Sequence, residues 1–216
     1  MKVCTDACVL GAYADVAGER ILDVGTGTGL LALMAAQRNP LVIIDAVEVD
    51  EAAFAQATEN VANSVFRKRV RVRHGRIQDF VPVQRYDRIL TNPPFYTNYL
   101  RSPDAATNRA LHTDGLSFLE LVEAVERLLS PDGQWWVLLP PYETVNLTEL
   151  AATVGLKPFQ QLHLRHNDCK PVFRIITGFA YERQTKDTDT LDIYESNSGM
   201  YTSEFRALLR NFYLIF

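Results

Sequence analysis

The sequence predicts an α/β fold with a seven-stranded, mostly parallel sheet, a C-terminal antiparallel hairpin, and helices on both faces. Short apolar runs alternate with helix-like segments from residue 20 to residue 154, which is typical of parallel strands joined by crossover helices. Two further apolar runs follow without a helix between them, which indicates an antiparallel pair. The 216 residues suffice for one domain, spanning 1–216, with a substantial core.

Each predicted element has a local reason. Thr5 is placed as the N-cap of a first helix, and Asn39-Pro40 ends the helix that begins at Gly29. The run 41–47 is apolar except for Asp45, which suits a strand covered on both faces. Residues 130–133 form a predicted turn, and residues 184–190 a polar segment outside the sheet. The predicted strands are 20–24, 41–47, 67–74, 86–91, 134–139, 159–165 and 172–181, and the later helices are 29–38, 51–63, 118–129, 147–154 and 203–211.

Composition restricts the possible functions. The formal net charge is −4, from 22 Lys and Arg against 26 Asp and Glu, so any nucleic-acid contact must use a local basic patch. No apolar run approaches the roughly 20 residues that cross a membrane. The three cysteines match no metal-binding or redox spacing, which indicates buried thiols in a reducing compartment. We expect a cytoplasmic, monomeric protein that holds no metal and binds no membrane.

A glycine-rich loop, Asp23-Val24-Gly25-Thr26-Gly27-Thr28-Gly29, joins the first strand to the next helix. Alternate glycines permit positive φ angles and let a ligand approach the main-chain N–H groups. The loop departs from the G-x-G-x-x-G dinucleotide fingerprint, because Leu30 stands where the third glycine is expected. A carboxylate at Asp23 repels a pyrophosphate but suits an ammonium group, which favours S-adenosyl-L-methionine over NAD. A purely structural glycine turn is the alternative.

Acidic residues follow the next two strands. Glu48 lies about 20 residues beyond the glycines, where a nucleotide-type ligand has its ribose hydroxyls bound, and Val49 follows it. We assign Glu48 to the ribose and Asp50 to the start of the next helix, although an acid here can also serve only the helix dipole. Asp79 can accept a hydrogen bond from an adenine amine beside Ile77, or it can be a simple turn residue.

The fourth strand runs directly into Asn92-Pro93-Pro94-Phe95, which must leave the sheet because proline cannot donate to a ladder. The exocyclic amine of adenine is a poor nucleophile, because its lone pair is delocalised into the ring. The Asn92 side-chain oxygen and the Pro93 carbonyl can accept hydrogen bonds from both of its N–H groups, held in place by the prolines. Phe95 offers a face on which an extruded base can stack.

Two groups of cations are candidates for contact with a nucleic acid. The alternating segment 67–74 places Arg69, Arg71 and Arg73 on one face of a strand. This segment is either a nucleic-acid stripe or an edge strand protected by charge, and we favour the second interpretation. The other group flanks the predicted mouth of the site and is either a phosphate-binding surface or a solvated loop face: Arg101, Arg109, His112, Arg165, His166 and Lys170.

Taken together, the Asp-x-Gly-x-Gly-x-Gly loop, Glu48, Asp79 and Asn92-Pro-Pro-Phe resemble the Rossmann-like class I S-adenosylmethionine-dependent methyltransferases that methylate planar amines. Four further stretches resemble the bacterial tRNA(Val) adenine-N6 methyltransferases in particular, and the similarity covers essentially the whole chain. They are the opening Lys2–Ala12, Asp45-Ala46-Val47-Glu48, Leu139-Pro140 and the ending Tyr201–Leu214.

The resemblance implies methylation of N6 of the adenine 3′ of the anticodon, with tRNA as partner. It implies that Thr5, Gly25 and Gly27 contact the methionine part of the cofactor, Glu48 its ribose and Asp79 its adenine. Family members typically carry a further stretch before Met1, so we expect this segment to be missing, which bears on tRNA affinity more than on cofactor binding.

Other functions remain open at this point. Protein glutamine N5-methyltransferases, ribosomal RNA guanine-N2 methyltransferases and DNA adenine methyltransferases use a similar motif, because a planar nitrogen poses the same electronic problem in each. A non-enzymatic RNA-binding module on the same fold predicts a damaged glycine loop or loss of Asn92, and the sequence has neither.

Overall fold

The computed structural model describes residues 4–93, 116–182 and 187–215. The described helices are α1 (Thr5–Tyr13), α2 (Leu30–Arg38), α3 (Glu51–Ala62), α4 (Phe118–Leu128), α5 (Pro141–Thr153) and α6 (Ser203–Leu209). The described strands are β1 (Arg20–Val24), β2 (Ile43–Glu48), β3 (Val70–His74), β4 (Tyr86–Thr91), β5 (Leu129–Leu139), β6 (Lys157–Arg165), β7 (Val172–Ala180) and β8 (Asp187–Asp192).

All eight strands form one sheet in the order β3-β2-β1-β4-β5-β7-β6-β8. The pairs from β3 to β5 are parallel, β7 is antiparallel to both β5 and β6, and β8 is parallel to β6. The α/β class and the antiparallel hairpin are therefore confirmed, whereas the count of seven strands is wrong. The eighth strand lies in the segment predicted to be polar and outside the sheet. Only Leu191 in it is buried, so its main-chain pairing with β6 leaves little trace in the side-chain pattern.

Helices cover both faces of the sheet and enclose two apolar cores. The first core lies under α1, α2 and α6 and contains Leu90 and Trp136. The second core lies under α4 and α5 and contains Val24 and Trp135. The two tryptophans are consecutive on β5 and point to opposite faces, as alternation along a strand requires. Trp135 stacks on Phe179 with ring centroids 5.2 Å apart.

Several local predictions need correction. Thr5 is the first residue of α1 rather than its N-cap, which is Cys4. The predicted turn at 130–133 is an irregularity within β5, where the register with β4 jumps between Leu129 and Gln134. The helix predicted over 147–154 begins earlier, at Pro141, because proline is favoured in the first turn of a helix.

The cysteines also differ from the prediction. Cys8 is buried, but Cys4 and Cys169 are exposed, because one precedes α1 and the other lies in the turn between β6 and β7. Among the described helices, none has the length and apolar content needed to span a bilayer. Within the same residues, no cluster of His, Cys, Asp and Glu has the arrangement of a metal site.

Candidate active site

The register of the parallel strands aligns residues that the sequence singled out. Val24 pairs with Val47 of β2 on one side and with Thr91 of β4 on the other. Neighbouring strands lie about 4.8 Å apart, so the residues that follow these three lie within about 10 Å along one edge of the sheet. Those residues are Gly25, Glu48 and Asn92.

The same residues share one face of the sheet. Val24 and Val47 point into the second core, so alternation directs the residues on either side of them towards the first core and α2. Asp23 and Glu48 are therefore on the same face. On β4, Leu90 belongs to the first core, and alternation places Asn92 on this face as well. The strand ends thus bring two carboxylates and one amide to a single edge.

The glycine loop follows β1 with positive φ at all three glycines: 67° at Gly25, 58° at Gly27 and 85° at Gly29. The N–H groups of Gly25 and Thr26 both donate to the carbonyl oxygen of Val47, at 2.9 and 3.1 Å. A side chain added at Gly25 would meet no atom within 4 Å, whereas one at Gly29 would approach Ala57 of α3 at 3.6 Å. Gly25 therefore borders open space, and Gly29 serves the packing of α3.

Glu48 links this loop to the end of β2 through hydrogen bonds to its carboxylate. Its carboxylate is buried and accepts hydrogen bonds from the N–H groups of Gly27 at 2.7 Å and of Val49 and Asp50 at 2.9 Å each. Asp50 caps α3 by accepting from the Ala53 N–H at 2.8 Å, so the helix start does not depend on Glu48. A carboxylate has about four acceptor positions, and three are used here. One acceptor position remains for a hydroxyl group.

Asp23 is fully buried behind the loop. Its Oδ2 accepts from the Thr26 hydroxyl and from the Ala32 N–H at 3.1 Å. Its Oδ1 has no hydrogen-bond partner in the part of the chain that the structure describes. Burial raises the pKa of Asp23 to about 7 against the two hydrogen bonds, and the charge of Glu48 acts in the same direction as burial. A cationic N–H donor at Oδ1 would satisfy this orphaned oxygen, so the site fits an ammonium group.

Beyond β3, a 3₁₀ turn of residues Ile77–Asp79 carries the residues predicted to face an adenine. Ile77 is buried, while Asp79 and Val49 are exposed. Arg127 of α4 holds this turn, donating to the main-chain oxygens of Ile77 at 2.9 Å and Phe80 at 2.5 Å. Sequence reasoning missed Arg127, because its partners are main-chain atoms about 50 residues away.

Around Asn92, the structure describes the end of β4 but not the whole motif. Thr91 is buried and accepts a hydrogen bond from the Trp135 indole at 3.2 Å, which fixes the end of the strand. Asn92 is half-buried and Pro93 is buried. The other two motif residues, Pro94 and Phe95, lie outside the described residues, as do Arg101, Arg109 and His112.

The remaining predicted residues are tied to other partners. Thr5 hydrogen-bonds Tyr213, whose pKa is raised to about 12, mainly by burial and then by Cys8. Arg165 forms a bidentate pair with Asp192 at 2.8 Å for both bonds, so its charge is largely neutralised. His166 is exposed and stacks on Phe173, with ring centroids 4.4 Å apart. Lys170 is exposed in the turn before β7.

This fold and this edge define a class I, Rossmann-like methyltransferase. Residues 8–150 match the model of the methyltransferase small domain family. Among solved structures, the chain resembles a predicted O-methyltransferase, protein Atu636 of Agrobacterium tumefaciens, with a TM-score of 0.74, 16% identity and 95% of each chain covered. It also resembles the glycopeptide N-methyltransferase MtfA in complex with S-adenosyl-L-methionine, with a TM-score of 0.60, 10% identity, and 82% of this chain and 93% of that one covered. At these identities the likeness concerns the fold.

Sequence relatives narrow the class. The chain is 47% identical to a tRNA1(Val) (adenine(37)-N6)-methyltransferase of Dyadobacter fermentans over 220 residues, covering 100% of this chain and 92% of the relative. It is 40% identical to the protein of the same name in Pedobacter heparinus, with the same coverage. The corresponding protein of Parabacteroides distasonis is 37% identical, with 99% and 91% covered. The chain belongs to the family of tRNA1(Val) (adenine(37)-N6)-methyltransferases.

Proposed function

We propose that this protein transfers the methyl group of S-adenosyl-L-methionine to N6 of an adenine in tRNA, at adenine 37 of tRNA(Val), and that it acts in the cytoplasm. The family membership supports the tRNA substrate over a protein glutamine or a ribosomal guanine. The observation that carries the chemistry is the position of Asn92, one residue past the pair Val24–Thr91 and on the same face as Asp23 and Glu48.

Each part of the cofactor can be assigned to residues at this edge of the sheet. Asp23 offers its unpartnered Oδ1 to the ammonium group, and the open space beside Gly25 admits the methionine part. Glu48 has one acceptor position left for a ribose hydroxyl, and Asp79 is exposed beside buried Ile77 for the adenine. When bound, the cofactor supplies an electrophilic methyl group on a positively charged sulfur.

Asn92 and Pro93 hold the attacking nitrogen. The Asn92 side-chain oxygen and the Pro93 carbonyl oxygen accept hydrogen bonds from the two N6–H groups. These two hydrogen bonds make the nitrogen pyramidal, so its lone pair leaves conjugation with the ring and points towards the methyl carbon. These acceptors are fixed before the reaction, because Thr91 is pinned by Trp135 and the proline restricts φ. With the cofactor bound, the held N6 would form a bond to the methyl carbon as the bond from that carbon to sulfur breaks with its electrons left on sulfur, and N6 would release one proton to water. No general base is needed until that last step.

A substrate panel tests the proposal. Purified protein is incubated with methyl-labelled S-adenosyl-L-methionine and three acceptors: unmodified tRNA(Val), the same tRNA with guanine at position 37, and a glutamine-containing peptide. We expect label only in the first acceptor, located at N6 of adenine by nucleoside analysis. Label in the peptide alone, or equal label in both tRNAs, contradicts the proposal. Calorimetry should show binding of S-adenosyl-L-methionine and none of NAD.

A further inference from the structure

The positive charge of this acidic protein is concentrated at one edge of the sheet. Residues 67–76 contain six of the 22 Lys and Arg of the chain and no Asp or Glu. The rest of the chain carries 16 Lys and Arg against all 26 Asp and Glu. The segment forms β3 and its two flanks, and β3 is the edge strand next to β2. A local basic surface therefore exists on a molecule of net charge −4.

One of these six cations has a structural task. The Arg69 guanidinium donates to the main-chain oxygens of Ala36 at 2.8 Å and Asn39 at 2.8 Å, and more weakly to Val42 at 3.4 Å. It thus satisfies carbonyl groups at the C-terminal end of α2, where a cation is also favoured by the helix dipole. Arg69 is excluded from the surface considered next.

The other five cations, Arg67, Lys68, Arg71, Arg73 and Arg76, form what we call the basic edge. Arg73 and Arg76 remain 55% and 59% exposed and lie 3.9 and 3.7 Å from Asp45 and Glu120, so these pairs neutralise little. The first three are exposed and form no ion pair with any other residue that the structure describes. Their charges are available to a partner.

Protection of an edge strand accounts for charge on β3 but not for its positive sign. The strand at the opposite edge of the sheet, β8, carries the exposed residues Asp187 and Asp189. Like charge on β3 prevents it from pairing with the β3 of another copy, and either sign would serve that purpose. Here the two edges carry opposite signs, which attract. The sign of the basic edge therefore needs another reason, and a polyanion supplies one.

The end of β3 lies beside the active-site edge, because His74 pairs with Glu48. Val70 and Val72 face the first core, so Arg71 and Arg73 point to the other face of the sheet from Asp23, Glu48 and Asn92. From β3 to β4 is three strand spacings, about 15 Å, so an RNA whose target base reaches Asn92 can cross this edge with neighbouring nucleotides. We propose that the basic edge binds phosphates of the tRNA substrate; this inference rests on the proposed function.

The test compares two variants with the same change in charge. The edge variant is Arg67→Gln, Lys68→Gln and Arg71→Gln, none of which makes an ion pair with a described residue. The control variant is Lys157→Gln, Arg206→Gln and Arg210→Gln, three exposed cations away from this edge. For each protein, tRNA affinity is measured over a range of salt concentrations, together with the KM for tRNA and kcat. Calorimetry measures cofactor affinity, and light scattering measures oligomeric state.

We expect the edge variant to bind tRNA at least about tenfold more weakly at about 100 mM salt, with its log–log salt slope reduced by about 2 to 3. Its KM for tRNA should rise while kcat and cofactor affinity stay within about twofold of the wild type. The control variant should match the wild type in slope. Equal slopes in the edge variant and the wild type overturn the inference, as does an edge variant altered only in oligomeric state. A wild type that methylates no tRNA overturns the proposed function, whereas wild-type turnover with an unaffected edge variant overturns the basic edge alone.

Discussion

Asp23 provides the sharpest test of how the glycine loop is built, through the substitution Asp23→Asn. Burial raises the pKa of this carboxyl group from 3.8 to about 7. An asparagine keeps the shape of the side chain, and its oxygen can accept from Thr26 and Ala32 as Oδ2 does now. The variant removes the charge and puts an NH2 group in the place of the orphaned oxygen. We expect stability and cofactor affinity to change in opposite directions.

The sign of the stability change follows from proton binding. Between pH 3.8 and about pH 7 the folded protein holds a proton on Asp23 that the unfolded chain has released. Stability from this group therefore falls as pH rises through that window and levels off above it. Because each pKa unit corresponds to about 1.4 kcal/mol, the free energy of unfolding should drop by about 2–3 kcal/mol between about pH 5 and about pH 8. The introduced asparagine cannot titrate, so this component vanishes in the variant.

Urea unfolding, followed by the fluorescence of the buried tryptophans, gives the free energy of unfolding at each pH. We expect the Asp23→Asn protein to equal or exceed the wild type in stability at about pH 8, and its advantage over the wild type to shrink towards about pH 5. Its cofactor affinity should fall about 10- to 100-fold, because a charge-assisted hydrogen bond to the ammonium is worth about 1.5–3 kcal/mol. Wild-type and variant stabilities that run parallel across this pH range refute the reasoning.

A matched control is Asp45→Asn, since Asp45 is also buried but has partners. Its Oδ2 accepts from the Tyr86 hydroxyl at 2.8 Å and lies 3.3 Å from Arg20. Losing this carboxylate should destabilise the protein by about 1–3 kcal/mol. Cofactor affinity should stay unchanged, because Asp45 lies in the middle of β2, away from the edge with the site. If Asp45→Asn weakens the cofactor as much as Asp23→Asn does, the effect is not local.

Three further predictions concern the edge and the sheet. Asn92→Ala should lower kcat at least about 100-fold, as for the loss of a fixed transition-state acceptor, and leave cofactor affinity unchanged in calorimetry; a variant with near wild-type turnover contradicts the role of Asn92. Glu48→Ala removes the acceptor of three main-chain N–H groups. We expect this variant to bind the cofactor more weakly and to lose about 1–3 kcal/mol of stability in urea unfolding. Unchanged cofactor affinity would contradict the role of Glu48. Gly178→Ala would bring a methyl group within 2.9 Å of Phe159 and 3.0 Å of Trp136; we expect it to cost about 1–3 kcal/mol of stability at normal cofactor affinity, and a fully stable variant shows that the β7 packing is looser than described.

Local chemistry made much of this protein predictable. The glycines of the loop have to adopt positive φ, and the structure gives all three such angles. Strand alternation predicted that Trp135 and Trp136 face opposite sides of the sheet, and the structure confirms this. The polar–apolar alternation of β3 likewise predicted that its valines share one face, which is the core face. In each case the property resides in a residue and its immediate neighbours, so a single sequence carries it.

Other features were not predictable, because their partners are distant in the chain. The strand β8 is held by main-chain hydrogen bonds to β6, and its mostly exposed side chains show no strand pattern in the sequence. Arg69 lies in a stripe of like charges, yet only the tertiary structure shows that it holds the end of α2 while its neighbours face solvent. Arg127 supports the 3₁₀ turn through main-chain oxygens, which leave no pattern in the sequence.

By itself, the sequence determined the α/β class and the chemical groups of the site: an acid before a glycine loop, a second acid, and an amide before two prolines. Only the tertiary structure decided that Gly25, Glu48 and Asn92 follow aligned residues on neighbouring strands, whereas the edge position of β3 confirms what its alternating charges predicted. The reason is physical, because side-chain chemistry and φ preferences are local. Strand order and register depend on which main-chain groups meet across the sheet.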